Sequence, residues 1–186
     1  IRKSFVIAKK GRPGPVLIDI PKDITAAKTE YTPRPAAEVV PSRDIDEKDL
    51  ETALAMIRRS KRPFICVGGG AILSDAAEEL YKFAKRVDAP VTDTLMGHGA
   101  FPETDELYTG MVGMHGTKAS DYGVDECDLL IVAGARFSDR VTGNVNEFAK
   151  NAEILQLDID AAEMNKNVLI TEGVIGDLRV ILEKLN

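Results

Sequence analysis

The sequence predicts an α/β protein: a doubly wound, mainly parallel Rossmann-like sheet over residues 45–186. Three observations predict it. The short, largely apolar runs Phe64–Val67, Leu129–Ala133 and Ile154–Ile159 lack the strict alternation of a half-exposed strand, so both of their faces are expected to be buried. Segments with apolar residues at helical spacing separate them, as helices covering both faces of a parallel sheet require. Glycines stand where the runs stop, at Gly68-Gly69-Gly70, Gly134 and Gly176.

The elements follow in order. Residues 14–20, GPVLIDI, read as a short buried strand between Gly-Pro and Pro21. Residues 21–44 hold four prolines and no sustained periodicity. Each proline removes a donor and turns the preceding residue away from helix, so an extended linker is expected, with a boundary near residues 25–44. From Asp46 to Ser60, Leu50, Ala53, Leu54 and Ile57 recur at helical spacing, with Asp46 as N-cap and acids in the first turn. Phe64–Val67 is the first strand of this domain. Ser74–Val87 is helical, with Ala77, Leu80, Tyr81, Ala84 and Val87 on one face. Pro90-Val91-Thr92 opens a second strand, Leu129–Ala133 is a third and Ile154–Ile159 a fourth. Beyond Asp177, a closing helix carries Leu178, Ile181, Leu182 and Leu185 in register.

Composition narrows the class. With 186 residues, 44% of them hydrophobic, the chain suits one medium domain plus attached material. A net charge of −6 makes nucleic acid and anionic membrane poor bulk partners. No apolar run approaches the ~20 residues that span a bilayer. The start, IRKSFVIAKKGRPG, has no signal-peptide core, so a cytoplasmic soluble protein is expected. Cys66 and Cys127 lie in or beside apolar runs without a CxxC pair, which favours buried reduced thiols over zinc or a disulfide. The chain opens without Met in what reads as mid-element, so a fragment of a longer protein is expected.

Ligands of such sheets bind at the carboxyl ends of the strands. A glycine turn there brings backbone close to a ligand and exposes N–H groups at a helix start, although any sharp turn also uses glycine. The dinucleotide fingerprint G-x-G-x-x-G is not met, because Leu73 stands where its third glycine belongs. In VAGARFSDRVTGN, Arg136 and Arg140 follow a strand at once, with Asp139 between them. Their planar forks suit a pyrophosphate or a flavin edge. Asp139 would hold one of them, or the group is a surface ion pair of little consequence. In GMVGMHGT, Gly110–Thr117, a turn would present Met114 and His115 to a flat ligand. The other histidine is His98, and no triad, HExxH or carboxylate cluster accompanies either, so neither a catalytic residue nor a metal site is expected. Asp158 ends the fourth strand, where a carboxylate can accept from a ribose hydroxyl or an adenine amine. Asp177 is an N-cap or a ligand group.

Four stretches, GRPGPVLIDIPKDI (11–24), PVTDTLMGHGAFPE (90–103), GMVGMHGT (110–117) and GARFSDRVTGN (134–144), together resemble the acetolactate (acetohydroxyacid) synthase catalytic-subunit family of thiamine-diphosphate enzymes. The resemblance covers nearly the whole chain, and the last two stretches are its specific part. It implies that residues 1–24 end a pyrimidine-binding domain, 25–44 are a linker, and 45–186 form the central FAD-binding domain. It implies FAD here, and thiamine diphosphate and Mg2+ held by domains outside this chain. The family's catalytic glutamate lies upstream and its metal-binding GDG…N motif downstream; Gly176-Asp177 is followed by Leu178, so the chain alone should not turn over pyruvate.

By position, the resemblance assigns Arg12 to the flavin nucleotide and Gly68, Gly69 and Gly70 to the glycine turn, with Thr94 and Leu95 along the ligand. Gly113, Met114, His115 and Gly116 would line the isoalloxazine. Gly134, Ala135, Arg136, Arg140 and Val141 would grip the middle of the cofactor. Asp158 and Ile159 would hold the adenosine end, beside Gly176 and Asp177. Lys22, Met114, Asp139 and Arg140 would border the substrate-access channel. Ser138 departs from the family's usual aspartate, which puts a charge-dependent role there in doubt. The implied reaction condenses two pyruvates to 2-acetolactate and CO2, or pyruvate with 2-oxobutyrate, opening isoleucine and valine synthesis. Implied partners are the missing domains, a homodimer or homotetramer, and a regulatory small subunit, in the cytoplasm or in a plastid or other organelle of a eukaryote. The alternatives are a central domain of the glyoxylate carboligase or pyruvate oxidase type, or a stand-alone nucleotide-binding domain; a sirtuin-like one would carry paired zinc cysteines, which are missing here.

Overall fold

The computed structural model describes residues 1–36 and 44–186. The chain divides into two compact units, Ile1–Ser42 and Arg43–Asn186. The first holds helices α1 (Arg2–Lys9) and α2 (Lys22–Ala26), neither with a buried residue. The strand expected over residues 14–20 does not form, and Leu17 there is 93% exposed. Strand backbone needs a paired neighbour, and no strand stands among the described residues of this unit. The expected linker is also not wholly extended. Pro21 sets the entry to α2, whose Thr25 hydroxyl donates to the Lys22 carbonyl at 2.7 Å. Residues 27–36 carry no regular element, and the rest of the expected linker, 37–43, lies outside the described residues.

The second unit contains six parallel strands in the order β3-β2-β1-β4-β5-β6: β1 (Pro63–Val67), β2 (Val91–Asp93), β3 (Tyr108–Met111), β4 (Leu129–Ala133), β5 (Glu153–Asp158) and β6 (Glu172–Ile175). Ile65 sits between Val91 on one side and Ile131 on the other. Burial alternates along the central strands. Ile65, Val67, Ile131, Ala133, Leu155 and Leu157 enter one core. Phe64, Cys66, Leu130, Val132 and Ile154 enter the other. Both faces are thus covered, and the fold is doubly wound as expected.

Helices α3 (Glu47–Arg59), α5 (Ala77–Val87) and α8 (Leu178–Leu185) pack into the first core through Leu50, Leu80, Phe83, Ile181 and Leu182. Asp46 caps α3 by accepting from Lys48 N–H at 2.9 Å, and Asp177 caps α8 by accepting from Arg179 and Val180. The helix expected from Ser74 begins at Ala77 instead, because Asp75 adopts the left-handed conformation (φ 52°) and ends the short α4 (Gly69–Leu73). The second core is covered by α6 (Lys118–Glu126), which the sequence reading missed. Its Gly123 explains the miss: a Cβ there would lie 2.3 Å from the Phe64 ring, so a small residue brings helix against sheet where an apolar one would have signalled it.

At the amino edge, Asp128 ties the α3–β1 connection to the start of β4. Its carboxylate accepts from Lys61 N–H (2.8 Å), Arg62 N–H (3.0 Å) and the Ser60 hydroxyl. Burial pushes this carboxyl up, but the three hydrogen bonds outweigh it and hold the group below its usual range. A depressed carboxyl contributes stability above its unfolded pKa and loses it as pH falls through the folded value. Asp128→Ala should therefore cost about 2 kcal/mol at neutral pH, and the gap from the parent should narrow as pH falls past the ordinary carboxylate range, about 4. Urea melts at neutral and acid pH check this; a gap independent of pH would contradict it.

Candidate functional site at the carboxyl edge

The strand order reverses direction between β1 and β4, the point at whose carboxyl ends ligands of such sheets bind. There the loops after the two strands meet main chain on main chain. Gly68 N–H donates to the Ala133 carbonyl at 2.9 Å and Gly70 N–H to the Gly134 carbonyl at 3.0 Å. A Cβ on Gly68 would lie 2.2 Å from the Gly134 oxygen, and one on Gly70 2.7 Å from Gly134 Cα. The glycine turn thus serves loop-to-loop packing, and these two N–H groups are spent within the protein. Gly176 behaves alike: it donates to the Asp158 carbonyl at 3.0 Å, and a Cβ there would lie 2.9 Å from Ile45.

The loop after β4 explains why a buried strand leads straight into charge. Gly134 (φ 66°) and Phe137 (φ 51°) both take left-handed backbone. That geometry costs a phenylalanine about 1–2 kcal/mol, offset by burying its ring edge-on to Phe148, with centroids 6.0 Å apart. The same turn leaves Arg136 exposed, its carbonyl accepting from Asn167 Nδ2 at 3.0 Å. Arg140, expected on a loop, lies in a helical turn, α7 (Asp139–Thr142). The Ser138 carbonyl starts that turn by accepting from Val141 and Thr142 N–H, and Gly143 ends it. The Asp139 carboxylate is engaged locally, on main chain and not on a guanidinium: its Oδ1 accepts the Arg140 N–H at 3.0 Å.

The Gly110–Thr117 stretch supplies edge strand β3 and then a tight turn against α7. Gly113 (φ 99°) admits no side chain, since a Cβ would lie 2.4 Å from the Arg140 oxygen. Met114 N–H donates to that oxygen at 2.9 Å, and Gly116 N–H closes on Gly113 O at 2.7 Å. The side chains meet as well: Arg140 Nη1 lies 4.0 Å from Met114 Sδ. His115 is exposed and Val141 half-buried. Two clefts flank α7 and share Thr142 and Gly143. One, about 360 Å3, is lined by Arg136, Ser138, Asp139, Glu163 and Lys166 among others. The other, about 270 Å3, includes Met114, Val124, Val141 and Phe148.

The remaining expected residues fall on the same edge or in the other unit. Gly134 N–H donates to Leu157 O at 2.8 Å, so the Arg136 loop starts beside Asp158, whose Oδ1 accepts from Asp160 N–H at 3.0 Å. Ile159 is 39% exposed. Thr94 is buried, its N–H on Val67 O at 2.8 Å, while Leu95 and Met96 are each 74% exposed. Ala135 is buried in the second core and Asp177 is taken up as a cap. Arg12 and Lys22 are exposed residues of the first unit. Sequence reading missed Met96, Phe137 and the buried Glu163, whose Oε1 meets Lys166 Nζ at 2.9 Å. The Glu-x-x-Lys spacing just after Asp158 was the available signal for that pair. Cys66 and Cys127 are free and buried, and burial pushes both thiols up to about 12, so both are inert, as expected. Among the described residues no helix is long and apolar enough to cross a membrane.

Residues 50–185 match the thiamine pyrophosphate enzyme central-domain profile. Similar proteins include the acetolactate synthase large subunit of Cyanidium caldarium, 43% identical across 100% of this chain and 33% of that protein. That of Parasynechococcus marenigrum is 46% identical across 100% and 31%. The chain spans about a third of the length of these curated relatives. Among solved structures, the benzoylformate decarboxylase of Polynucleobacter necessarius superposes with a TM-score of 0.78 at 21% identity, over 99% of this chain and 34% of that one.

Proposed function

Because the chain belongs to the thiamine pyrophosphate enzyme central-domain family, we propose that it is the central domain of an acetolactate synthase catalytic subunit and that its carboxyl edge holds FAD. The observation that carries this reading is the meeting of GMHGT with GARFSDRVTGN. Distant in sequence, the two lock together through Met114 N–H on Arg140 O at 2.9 Å.

The donor set fits a flavin dinucleotide. The exposed guanidiniums of Arg136 and Arg140 offer charge-assisted pairs to a diphosphate. Leu95, Met96 and Met114, all exposed, offer apolar contact to a flat ring. Asp158, ending β5, stands where a ribose hydroxyl is commonly accepted. FAD, when bound, supplies a rigid aromatic plate joined through a diphosphate to adenosine, and its role in the family reaction is structural. In this reading Arg136 and Arg140 fix the diphosphate, and the turn from Gly113 through His115 to Gly116 sets the ring's position. Val141, Ile159 and Gly176 complete the walls. Met114, Asp139 and Arg140 border the approach taken by substrate.

The whole enzyme would join two pyruvates, or pyruvate and 2-oxobutyrate, in branched-chain amino-acid synthesis. Thiamine diphosphate and Mg2+ would be held by flanking domains of the same chain, of which residues 1–24 are the near end. A homodimer or homotetramer, a regulatory small subunit and a cytoplasmic or organellar location belong to the same reading. Two measurements test it. Titrating FAD into this chain should change flavin fluorescence and saturate; an unchanged signal up to about millimolar protein would remove the flavin assignment. The full-length protein given pyruvate should form 2-acetolactate; a different carboligation or oxidation product would remove the enzyme assignment.

A further inference from the structure

One cluster stands outside the arginine and methionine loops. Asp93, the last residue of β2, is fully buried. Its Oδ2 lies 3.1 Å from His98 Nδ1 and 3.1 Å from the Tyr108 hydroxyl. The other ring nitrogen, His98 Nε2, lies 3.1 Å from Glu103 Oε1. Burial and the adjoining Asp93 charge push the Tyr108 phenol well above its usual range, so Tyr108 stays a donor and Asp93 accepts. The imidazole thus bridges two acids through its two ring nitrogens.

The bridge closes a short loop. Residues Thr94–Gly97 leave β2, run through a 3-10 turn (Leu95–Gly97) and return to His98. At the near end, Thr94 N–H donates to Val67 O at 2.8 Å. Gly97 presses on the same oxygen, which would lie 2.3 Å from a Cβ there. At the far end, the His98 ring reaches Asp93 and Glu103. Leu95 and Met96, between the two anchors, hold their side chains in solvent. Small changes at the far anchor therefore act on the part of the carboxyl edge that carries two of its exposed apolar side chains.

We infer that His98 is a positioning residue: by bridging Asp93 and Glu103 through its two ring nitrogens, it clamps the Thr94–Gly97 loop in the shape that presents Leu95 and Met96 to a ligand. The groups that face this bridge are Asp93 on β2, Tyr108 on β3, Glu103 on the connecting loop and, beyond Asp93, Cys66 on β1. Without the bridge, the loop is released at its far end.

Hydrogen exchange of the full chain tests this, read as protection factors at the Thr94 and Gly97 amides and referenced to Ile131 in the sheet centre. His98→Leu should lose about tenfold in protection relative to the parent. His98→Arg, which keeps N–H donors facing Asp93 and Glu103, should retain it. Equal protection in all three proteins, or a loss in His98→Arg as large as that in His98→Leu, overturns the clamp. A second arm rests on the flavin reading: FAD affinity should be about fivefold weaker in His98→Leu than in His98→Arg. If the parent binds no FAD, that reading fails while the exchange data still decide the clamp.

Discussion

Gly134→Val should leave little folded protein. A Cβ at this position would lie 2.7 Å from Gly70 Cα and 3.0 Å from the Gly70 carbonyl carbon, both main chain with no rotamer to yield. Its φ of 66° is also one that a β-branched residue adopts at a cost of about 1–3 kcal/mol. Overpacking adds about 1–3 kcal/mol or more. Together these approach the whole stability of an ordinary domain, about 5–15 kcal/mol. Gly68→Ala tests the same contact from the other side without a change in φ class, since its methyl would meet the Gly134 oxygen at 2.2 Å. Circular-dichroism melts of the two variants are the measurement. A Gly134→Val protein that melts within about 2 °C of the parent would show that the two loops can part at little cost.

The second large effect concerns ligand binding and leaves folding alone. On the proposed flavin reading, Arg136→Glu and Arg140→Glu should each weaken FAD about a hundredfold, because each would remove a charge-assisted hydrogen bond worth about 1.5–3 kcal/mol and add repulsion. Arg136 is exposed, and exposed substitutions of this kind shift stability by only about 0.5 kcal/mol. The Arg140 guanidinium meets Met114 Sδ; what Arg140 lends the Met114 turn comes from its carbonyl, which glutamate retains. Arg58→Glu is the control: exposed, near the end of α3, and ahead of β1, it lies toward the amino edge. It should leave FAD affinity within about twofold. Flavin titrations of the three variants decide the matter, and parent-like binding by both carboxyl-edge variants would mean that the diphosphate is held elsewhere.

What the sequence made legible follows from where burial is complete. β1, β4 and β5 run between two cores, so their residues are apolar on both faces and stand out. α8 shows its stripe because all four of its expected residues are buried. β3 and β6 escaped notice because they lie at the two edges of the sheet, where burial is partial and glycines (Gly110, Gly173) interrupt the pattern. The expected strand over residues 14–20 shows the converse: apolar composition alone makes no strand where no neighbour offers hydrogen bonds. At the site, motif spacing marked Met114, Arg136 and Arg140, and they are gathered around α7. Spacing could not reveal that Gly68, Gly70 and Gly134 pack on one another, because that fact concerns two loops far apart in the chain. Nor could it reveal Phe137, whose burial depends on a backbone conformation that its residue type disfavours.

The bare-backbone joint between the loops after β1 and β4 limits how this edge can be altered. Gly68, Gly70 and Gly134 leave no side chain where the two loops meet, and each is barred from acquiring one by the loop opposite. On the proposed flavin reading, discrimination among guests resides in the rim, on Leu95, Met96, Met114, Arg136 and Arg140, where side chains are exposed and can be exchanged without disturbing the joint beneath. In that reading, re-specification of the domain is a matter of repainting the rim.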